Sequence, residues 1–394
     1  MKFFKKIVAI TIATSFSFSA YSGILQEAKK NAKNESEFKE VESFSGKKNV
    51  LLFLGQKENS QGALTVKLPE SIKGGSSLEF DFDFQKTGGE GKQDFLEIQT
   101  KFWDANGRRI KERPQVFRIY KNSSEWKKAS QEIYVPENAG KGELLFLFKG
   151  KIKFYISSLR FVDGAMVKLK KSKGKHILFY EDFESFPAIF ANGGRLSFPF
   201  DSTLAASKME IVEGKFGNAL KIKNNSPGEG IVYSPKGKIN ANEGTIEFWQ
   251  KVIYKDIDKY PERGLVAFWL NGIGNESNRI QIFSGFGGKK VFGVRFSGNS
   301  PSFFTPYGES ANTWKHVAVT WKANRGVKKD EFQIYIDGQK VKKITGVTIN
   351  FDQEKIDGKA KMTIGGSYKA HGECIIIDKL KIWDKAMDIS IDEN

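Results

Sequence analysis

Between Leu78 and Phe84 the chain alternates without exception: Leu78, Phe80, Phe82 and Phe84 are apolar, and Glu79, Asp81 and Asp83 between them are acidic. A period of two puts the four apolar side chains on one face of an extended strand and the three carboxylates on the other, a separation that a helix cannot make. Such a strand has to bury one face, so the chain needs a second layer to cover it. The same pattern recurs. Phe95-Leu96-Glu97-Ile98-Gln99 and Lys101-Phe102-Trp103 close on the turn Asp104-Ala105-Asn106-Gly107, and strands follow around 116–120, 144–148 and 154–161. Further on come Gly244-Thr245-Ile246-Glu247-Phe248-Trp249, then 265–270, 279–283, 291–296, 314–321, 332–336 with the turn Asp337-Gly338, and 374–383. Short strands, Gly-rich turns and no long amphipathic helix predict an all-β protein with two β-sandwich domains.

At 394 residues the chain has room for two or three domains of roughly 100–200 residues, each with its own core. Aromatic residues make up 13%, with 34 Phe, which excludes a disordered chain. The one cysteine, Cys374, rules out an intramolecular disulfide. With His176, His316 and His371 as the three histidines, no cysteine-based zinc site can be assembled.

Residues 1–22 read as a secretory signal: Lys2, Lys5 and Lys6, an apolar run from Ile7 to Phe18, then Ala20-Tyr21-Ser22 before Gly23. The apolar run is broken by Thr and Ser and is too short to anchor in a bilayer, and no later segment is apolar enough to span one. The expected location is therefore secreted or in the cell envelope. Residues 23–45 are polar and charge-mixed, and predict a tether or one short surface helix. A first sandwich is expected over 46–165, a basic linker over 166–175 that includes Lys168, Lys170, Lys171, Lys173 and Lys175, and a second sandwich over 176–387.

Loss of Lys2, Lys5 and Lys6 lowers the formal charge from +17 to +14, so the protein stays basic. Ten of the 63 cationic residues are Arg, and a lysine-dominated surface lacks the guanidinium forks that read nucleic acid. For an exported chain the matching counter-charges are anionic polysaccharide, cell-wall polymer or lipid headgroups.

Four patterns in the second half carry a family resemblance. They are Gly214-Lys215-Phe216-Gly217-Asn218-Ala219-Leu220; Gly244-Thr245-Ile246-Glu247-Phe248-Trp249; Trp314-Lys315-His316-Val317-Ala318-Val319-Thr320-Trp321 followed by Ile334-Tyr335-Ile336-Asp337-Gly338; and Ile377-Asp378-Lys379-Leu380-Lys381-Ile382-Trp383 with Lys385-Ala386-Met387 behind it. In this order they resemble the laminin G-like, concanavalin A-like jelly-roll domain of extracellular bacterial proteins. The resemblance implies a two-sheet sandwich used to bind glycans or other extracellular ligands, often without catalysis. The first half more loosely resembles galactose-binding-like carbohydrate modules, through Trp126-Lys127-Lys128-Ala129, Ile133-Tyr134-Val135-Pro136 and 154–161. Members of that family often have an acidic residue where Ser157 and Ser158 stand, so no structural calcium is assigned there.

Catalytic signatures are sparse. Retaining glycosidases of the concanavalin-like fold resemble Glu-x-Asp-x-x-Glu, which sets two carboxylates about 5 Å apart, and no such run occurs in the second half. Glu79, Asp81 and Asp83 have the alternation but read as the solvated side of a sandwich strand. Alginate-lyase-like enzymes use Gln-Ile-His, whereas here Gln281-Ile282 is followed by Phe283. His316 reads as a satisfied sandwich histidine. No catalytic residue and no metal ligand is assigned; calcium at Asp201 or Asp337 is conceivable on a jelly-roll rim, but Asp337-Gly338 is first a hairpin turn. No cofactor is expected.

Binding is read from strand faces. If Ile280 and Ile282 face the core, Arg279, Gln281 and Phe283 face away, and Arg295 takes the same side of its strand against Phe292, Val294 and Phe296. Ile246 and Phe248 likewise oppose Glu247 and Trp249. One open sheet would then present Glu247, Trp249, Arg279, Gln281 and Arg295, with Trp269, Tyr307 and His371 in loops at its margin. Rings that stack on sugar C–H faces, beside planar polar groups, suit a glycan. The expected function is a non-catalytic carbohydrate-binding or adhesion protein for extracellular glycans, acidic ones included. The alternatives are a polysaccharide-degrading hydrolase or lyase, and a structural envelope or matrix protein. The sequence does not fix the oligomeric state.

Overall fold

The computed structural model describes residues 32–33, 36–89, 94–111, 114–120, 122–169, 174–196, 200–201, 209–224, 230–253, 263–269, 279–286, 289–296, 303–306, 312–323, 330–347, 353–358, 360–365 and 373–389. Residues 1–22, expected to be a secretory signal, lie outside these, as do Tyr307, His371 and residues 170–173 of the expected basic linker. Two compact units form, one of residues 1–114 and 119–166, the other of 115–118 and 167–394. Among the described residues no helix is long and apolar enough to cross a membrane.

The first unit begins with β1 (Ser36–Phe44), β2 (Lys47–Gly55), β3 (Gln61–Lys67), β4 (Ser76–Thr87) and β5 (Phe95–Asp104). Next in the chain comes β6 (Val116–Ile119), whose residues 116–118 fall in the second unit, and the first unit continues through β7 (Ser123–Tyr134), β8 (Ala139–Lys149) and β9 (Lys153–Met166). One sheet has the order β1-β2-β9-β4-β7, and in the other β3, β8 and β5 lie side by side. The expected alternation in β4 holds: Leu78, Phe80, Phe82 and Phe84 are fully buried. Phenylalanines lock the two layers, with Phe82 meeting Phe146 edge-on at 5.7 Å and Phe53 stacking on Phe148 at 4.8 Å. The expectation of a tether or surface helix over 23–45 is corrected for its last third. Ser36–Phe44 is a strand paired with β2, because Phe38 enters the core opposite Phe53 while Lys39, Glu40 and Glu42 stay in water. Charge mixing had masked a strand whose outer face is polar.

Of the three β4 carboxylates Glu79 is exposed, while Asp81 and Asp83 are less solvated than the alternation implies. Asp81 is buried between Arg160 at 3.1 Å and Lys128 at 3.3 Å, and Asp83 holds Lys47 at 2.8 Å.

The second unit opens with β10 (Ile177–Glu181), the short helix α1 (Phe186–Ala191), β11 (Arg195–Leu196), β12 (Phe200–Asp201), β13 (Met209–Glu213), β14 (Asn218–Asn224) and β15 (Gly230–Tyr233). Ser185 caps α1 by accepting the Ala188 amide at 3.2 Å. Then follow β16 (Glu243–Ile253), β17 (Arg263–Trp269), β18 (Arg279–Phe286), β19 (Lys289–Phe296), β20 (Phe303–Pro306), β21 (Trp314–Lys322), β22 (Asp330–Ile336) and β23 (Gln339–Val347). The helix α2 (Gln353–Gly358), β24 (Lys361–Gly365) and β25 (Glu373–Trp383) complete it. Its two antiparallel sheets have the orders β13-β14-β25-β16-β21-β22-β23, with β10 also on β25, and β11-β15-β24-β17-β18-β19-β20.

Between them lie Ile246, Phe248, Val317, Val319, Ile334 and Ile382 from the first sheet and Val266, Phe268, Ile282, Val294, Met362 and Ile364 from the second, all buried. Gly244 is required by sterics: a Cβ there would sit 2.3 Å from the Trp321 ring, whose Nε1 donates to the Asn240 carbonyl at 3.0 Å. The Asp337-Gly338 turn has φ of 49° and 73°, as the hairpin reading requires.

Glu181 is enclosed at the start of this unit, accepting from Tyr233 Oη at 2.7 Å and Asn192 Nδ2 at 3.0 Å. Burial pushes its carboxyl up to about 7 against the pull of these donors.

Candidate functional site

The single open face expected from strand alternation does not form. β16, which carries Glu247 and Trp249, belongs to one sheet of the second unit, and β18 and β19, which carry Arg279, Gln281 and Arg295, belong to the other. Alternation fixes which side chains of a strand share a face; it does not fix which strands share a sheet. The register within the second sheet is as expected, with Gln281 opposite Arg295 and Ile282 opposite Val294. Gln281, however, is 0% exposed, as is Phe283. Arg295 Nη1 donates to Gln281 Oε1 at 3.3 Å, and its guanidinium lies 4.8 Å over the Phe283 ring. The amide and the ring are buried under a half-buried guanidinium and do not make an open polar surface. Trp269 and Arg279 pair across β17 and β18. Tyr307 and His371 lie outside the described residues.

On the outer side of the other sheet, Glu247 and Trp249 are joined by residues from both flanking strands. β16 lies between β25 and β21, so Trp249 stands opposite His316 on one side and Asp378 on the other, and Glu247 stands opposite Lys381. Glu247 is 8% exposed and His316 6%. The carboxylate takes Lys381 Nζ at 3.1 Å, Trp383 Nε1 at 3.2 Å and His316 Nε2 at 3.4 Å. Burial drives the Glu247 carboxyl upward, but the His316 bond and the Lys381 charge outweigh it and hold the group below the usual carboxylate range. His316 Nδ1 is buried without a hydrogen-bond partner. The expected satisfied histidine is thus satisfied at one nitrogen.

Trp249 is half-buried, edge-on to Phe216 at 5.5 Å and tilted against His316 at 5.2 Å. Phe216 belongs to the 214–217 loop, which Asp378 holds by accepting the amides of Lys215 and Phe216, both at 2.9 Å. Burial pushes the Asp378 carboxyl up to about 6 in spite of those amides. Lysines stand over the rings: Lys215 lies 5.0 Å from the Trp249 centroid, and Lys379 4.1 Å from that of Phe216.

At the other end of this face, residues 385–388 cross the sheet. Thr245 Oγ1 donates to the Lys385 carbonyl at 2.7 Å and accepts the Met387 amide at 2.9 Å, and Tyr335 Oη donates to Asp388 at 3.2 Å. The sheet's middle is therefore bounded by two pieces of its own chain. Strand reading placed Glu247 and Trp249 on this face and missed Lys381, Trp383, Phe216, Lys215 and Lys379. The signal for two of them was present, since Leu380 and Ile382 alternate with Lys381 and Trp383.

Among solved structures, the chain is similar to the tandem CBM22 domains of Paenibacillus barcinonensis Xyn10C, at 12% identity over 92% of this chain and 96% of that one, with a TM-score of 0.29. It is also similar to the binding domain of Paraclostridial Mosquitocidal Protein 1, at 19% identity, 54% of this chain, 49% of that one and a TM-score of 0.38. The corresponding values for the botulinum neurotoxin serotype D binding domain are 13%, 54%, 49% and 0.37. The chain spans about half the length of these two toxin domains. No curated protein matches it. Residues 226–389 match the family model of the concanavalin A-like lectin/glucanases superfamily. With the two packed antiparallel sheets of this region, that match makes the second unit a concanavalin A-like jelly roll.

Proposed function

We propose that the protein is a non-catalytic, exported binding or adhesion protein whose second unit holds acidic extracellular glycans on the outer face around Trp249. The observation that carries this reading is the placement of lysines on rings: Lys215 over Trp249, Lys379 over Phe216, and Lys381 over Trp383. An ammonium over an aromatic face is partly desolvated and fixed in position, which prepares it for a carboxylate or sulfate. A neutral sugar stacking on the same ring face would first have to displace the cation. The excess of lysine over the whole chain adds long-range attraction for anionic polymers. The superfamily of the second unit, which contains lectins, supports the same reading.

The test is retention of the full chain on immobilised acidic polysaccharides (heparin, hyaluronan, polygalacturonate) and on neutral controls, at 50 and 500 mM salt. Binding to at least one acidic polymer is expected, weakening tenfold or more at high salt and tenfold or more again in Lys379→Ala/Lys381→Ala. Failure to bind any acidic polymer, or binding indifferent to that double substitution, overturns the proposal.

A further inference from the structure

We infer that the free edge of β7 is a self-association surface, to which a second copy of this chain adds its own β7, antiparallel and in one register centred on Ser130. The strand is 12 residues long and ends the β1-β2-β9-β4-β7 sheet. It pairs with β4 on one side, and among the described residues no strand lies along the other. From Tyr134, opposite Ser77, to Lys127, opposite Phe84, the pairing has no bulge, and no proline interrupts it. A long regular edge of this kind is a template for a further strand.

Two observations make a second copy the occupant. The first is a charge without a partner. Glu132 stands directly opposite Glu79 on the outer face, and both are exposed. Glu79 accepts from Ser130 Oγ at 2.5 Å, but among the described residues no cation pairs with either carboxylate. Like charges opposed across strands destabilise the pairing. Lys128, on the same face of β7, touches Asp81 at 3.3 Å and leaves 54% of its side chain exposed. The second observation is that the strand complements itself. Opposed residues of an antiparallel pair share a face, so a two-fold axis between two copies passes through one residue. With Ser130 on the axis, Lys128 of each copy lies opposite Glu132 of the other, and Trp126 lies opposite Tyr134. Both surplus carboxylates then gain an ammonium. Centring on Ala129 or Gln131 instead sets Glu132 opposite Trp126 or Ser130 and supplies neither with a cation. β7 carries two Glu and two Lys, so its copies do not repel; β1, at the other edge, carries three Glu and one Lys. Each copy has one β7, so the association closes at a dimer.

The inference is independent of what the second unit binds, and its test is the mass of the full chain by sedimentation between 1 and 200 µM. A dimer is expected at the upper end. Lys128→Glu and Glu132→Lys should each weaken it tenfold or more, and Lys128→Glu/Glu132→Lys together should return it to within threefold, because the swap re-forms both pairs between copies. Glu132→Lys alone also removes the repulsion from Glu79, so its unfolding midpoint, measured where the protein is monomeric, should not fall while the dimer weakens. Register is read separately. Ser130→Cys in a Cys374→Ser background should form a disulfide-linked dimer under oxidised glutathione, since opposed Cα atoms on the axis lie about 4.5–5.5 Å apart, within disulfide range. Ser124→Cys in the same background should not. A chain still monomeric at 200 µM overturns the proposal, as does a dimer that ignores both single substitutions or is not restored by the swap.

Discussion

The outer faces of the two units differ in how they handle charge. On the first unit, Asp81 and Asp83 pair with Arg160, Lys128 and Lys47 in a ladder across the strands, and the aromatic residues stand apart from it. On the second, one buried carboxylate, Glu247, gathers a lysine, an indole and a histidine, while further lysines ride on the rings. The difference lies in desolvation. The first ladder has cations that remain mostly in water, so its ion pairs act as independent weak contacts. The second cluster has its carboxylate and histidine both enclosed, so each depends on the other for compensation.

That dependence gives the largest expected effect. Glu247→Ala strands His316 and Lys381 beside a cavity and should destabilise the second unit by about 3–5 kcal/mol in urea unfolding. Replacing both enclosed partners with apolar residues, Glu247→Leu with His316→Phe, should recover at least half of the loss, because the desolvation penalty disappears along with the pair. If the single and double variants are equally unstable, mutual compensation is not what holds this face together.

A second buried carboxylate gives a smaller effect, read as a pH dependence. Glu181 is raised by burial from 4.5 to about 7 in the folded protein. The native state therefore binds a proton more tightly than the unfolded chain, and stability contributed by this group is complete below about pH 4.5 and is lost as pH rises through about 7. Over that window the loss should approach about 3 kcal/mol, at 1.36 kcal/mol per unit. Glu181→Gln should flatten the corresponding part of the stability profile between pH 5 and 8; an unchanged slope would place the dependence elsewhere.

How much of this was legible in the sequence depends on range. The inner face of β4 could be read exactly because alternation is local: Leu78, Phe80, Phe82 and Phe84 needed no knowledge of their partners. The sheet assignment of β16 could not, because the partners of its residues on β21 and β25 lie 63 or more residues downstream and either sheet would have satisfied the pattern. Gln281 was misread for a related reason, since a residue pointing away from the core is exposed only if nothing crosses over it, and the strand's own residues carry no information about that. Trp249 beside Phe216 shows a third case. The Gly214-Lys215-Phe216-Gly217 run was visible as a family signature, but its grip on Asp378, 162 residues beyond Phe216, is purely tertiary.

The smallest effect is expected where the two faces look most alike on paper. Asp81 makes as many cationic contacts as an ion-pair network requires, with Arg160 at 3.1 Å and Lys128 at 3.3 Å, and its own side chain is enclosed. Both cations, however, remain more than half exposed. Water therefore compensates them when Asp81 is changed, and Asp81→Asn keeps the volume and the hydrogen-bonding capacity toward Arg160. The loss should stay near 1 kcal/mol and shrink further in 0.5 M salt, whereas the loss from Glu247→Ala should be almost indifferent to salt. Unfolding both variants at two ionic strengths puts the contrast on one axis. A salt-insensitive loss of several kcal/mol at Asp81 would mean that the ladder of the first unit is as desolvated as the cluster of the second, and the division between a charge-matched face and a charge-enclosing one would not hold.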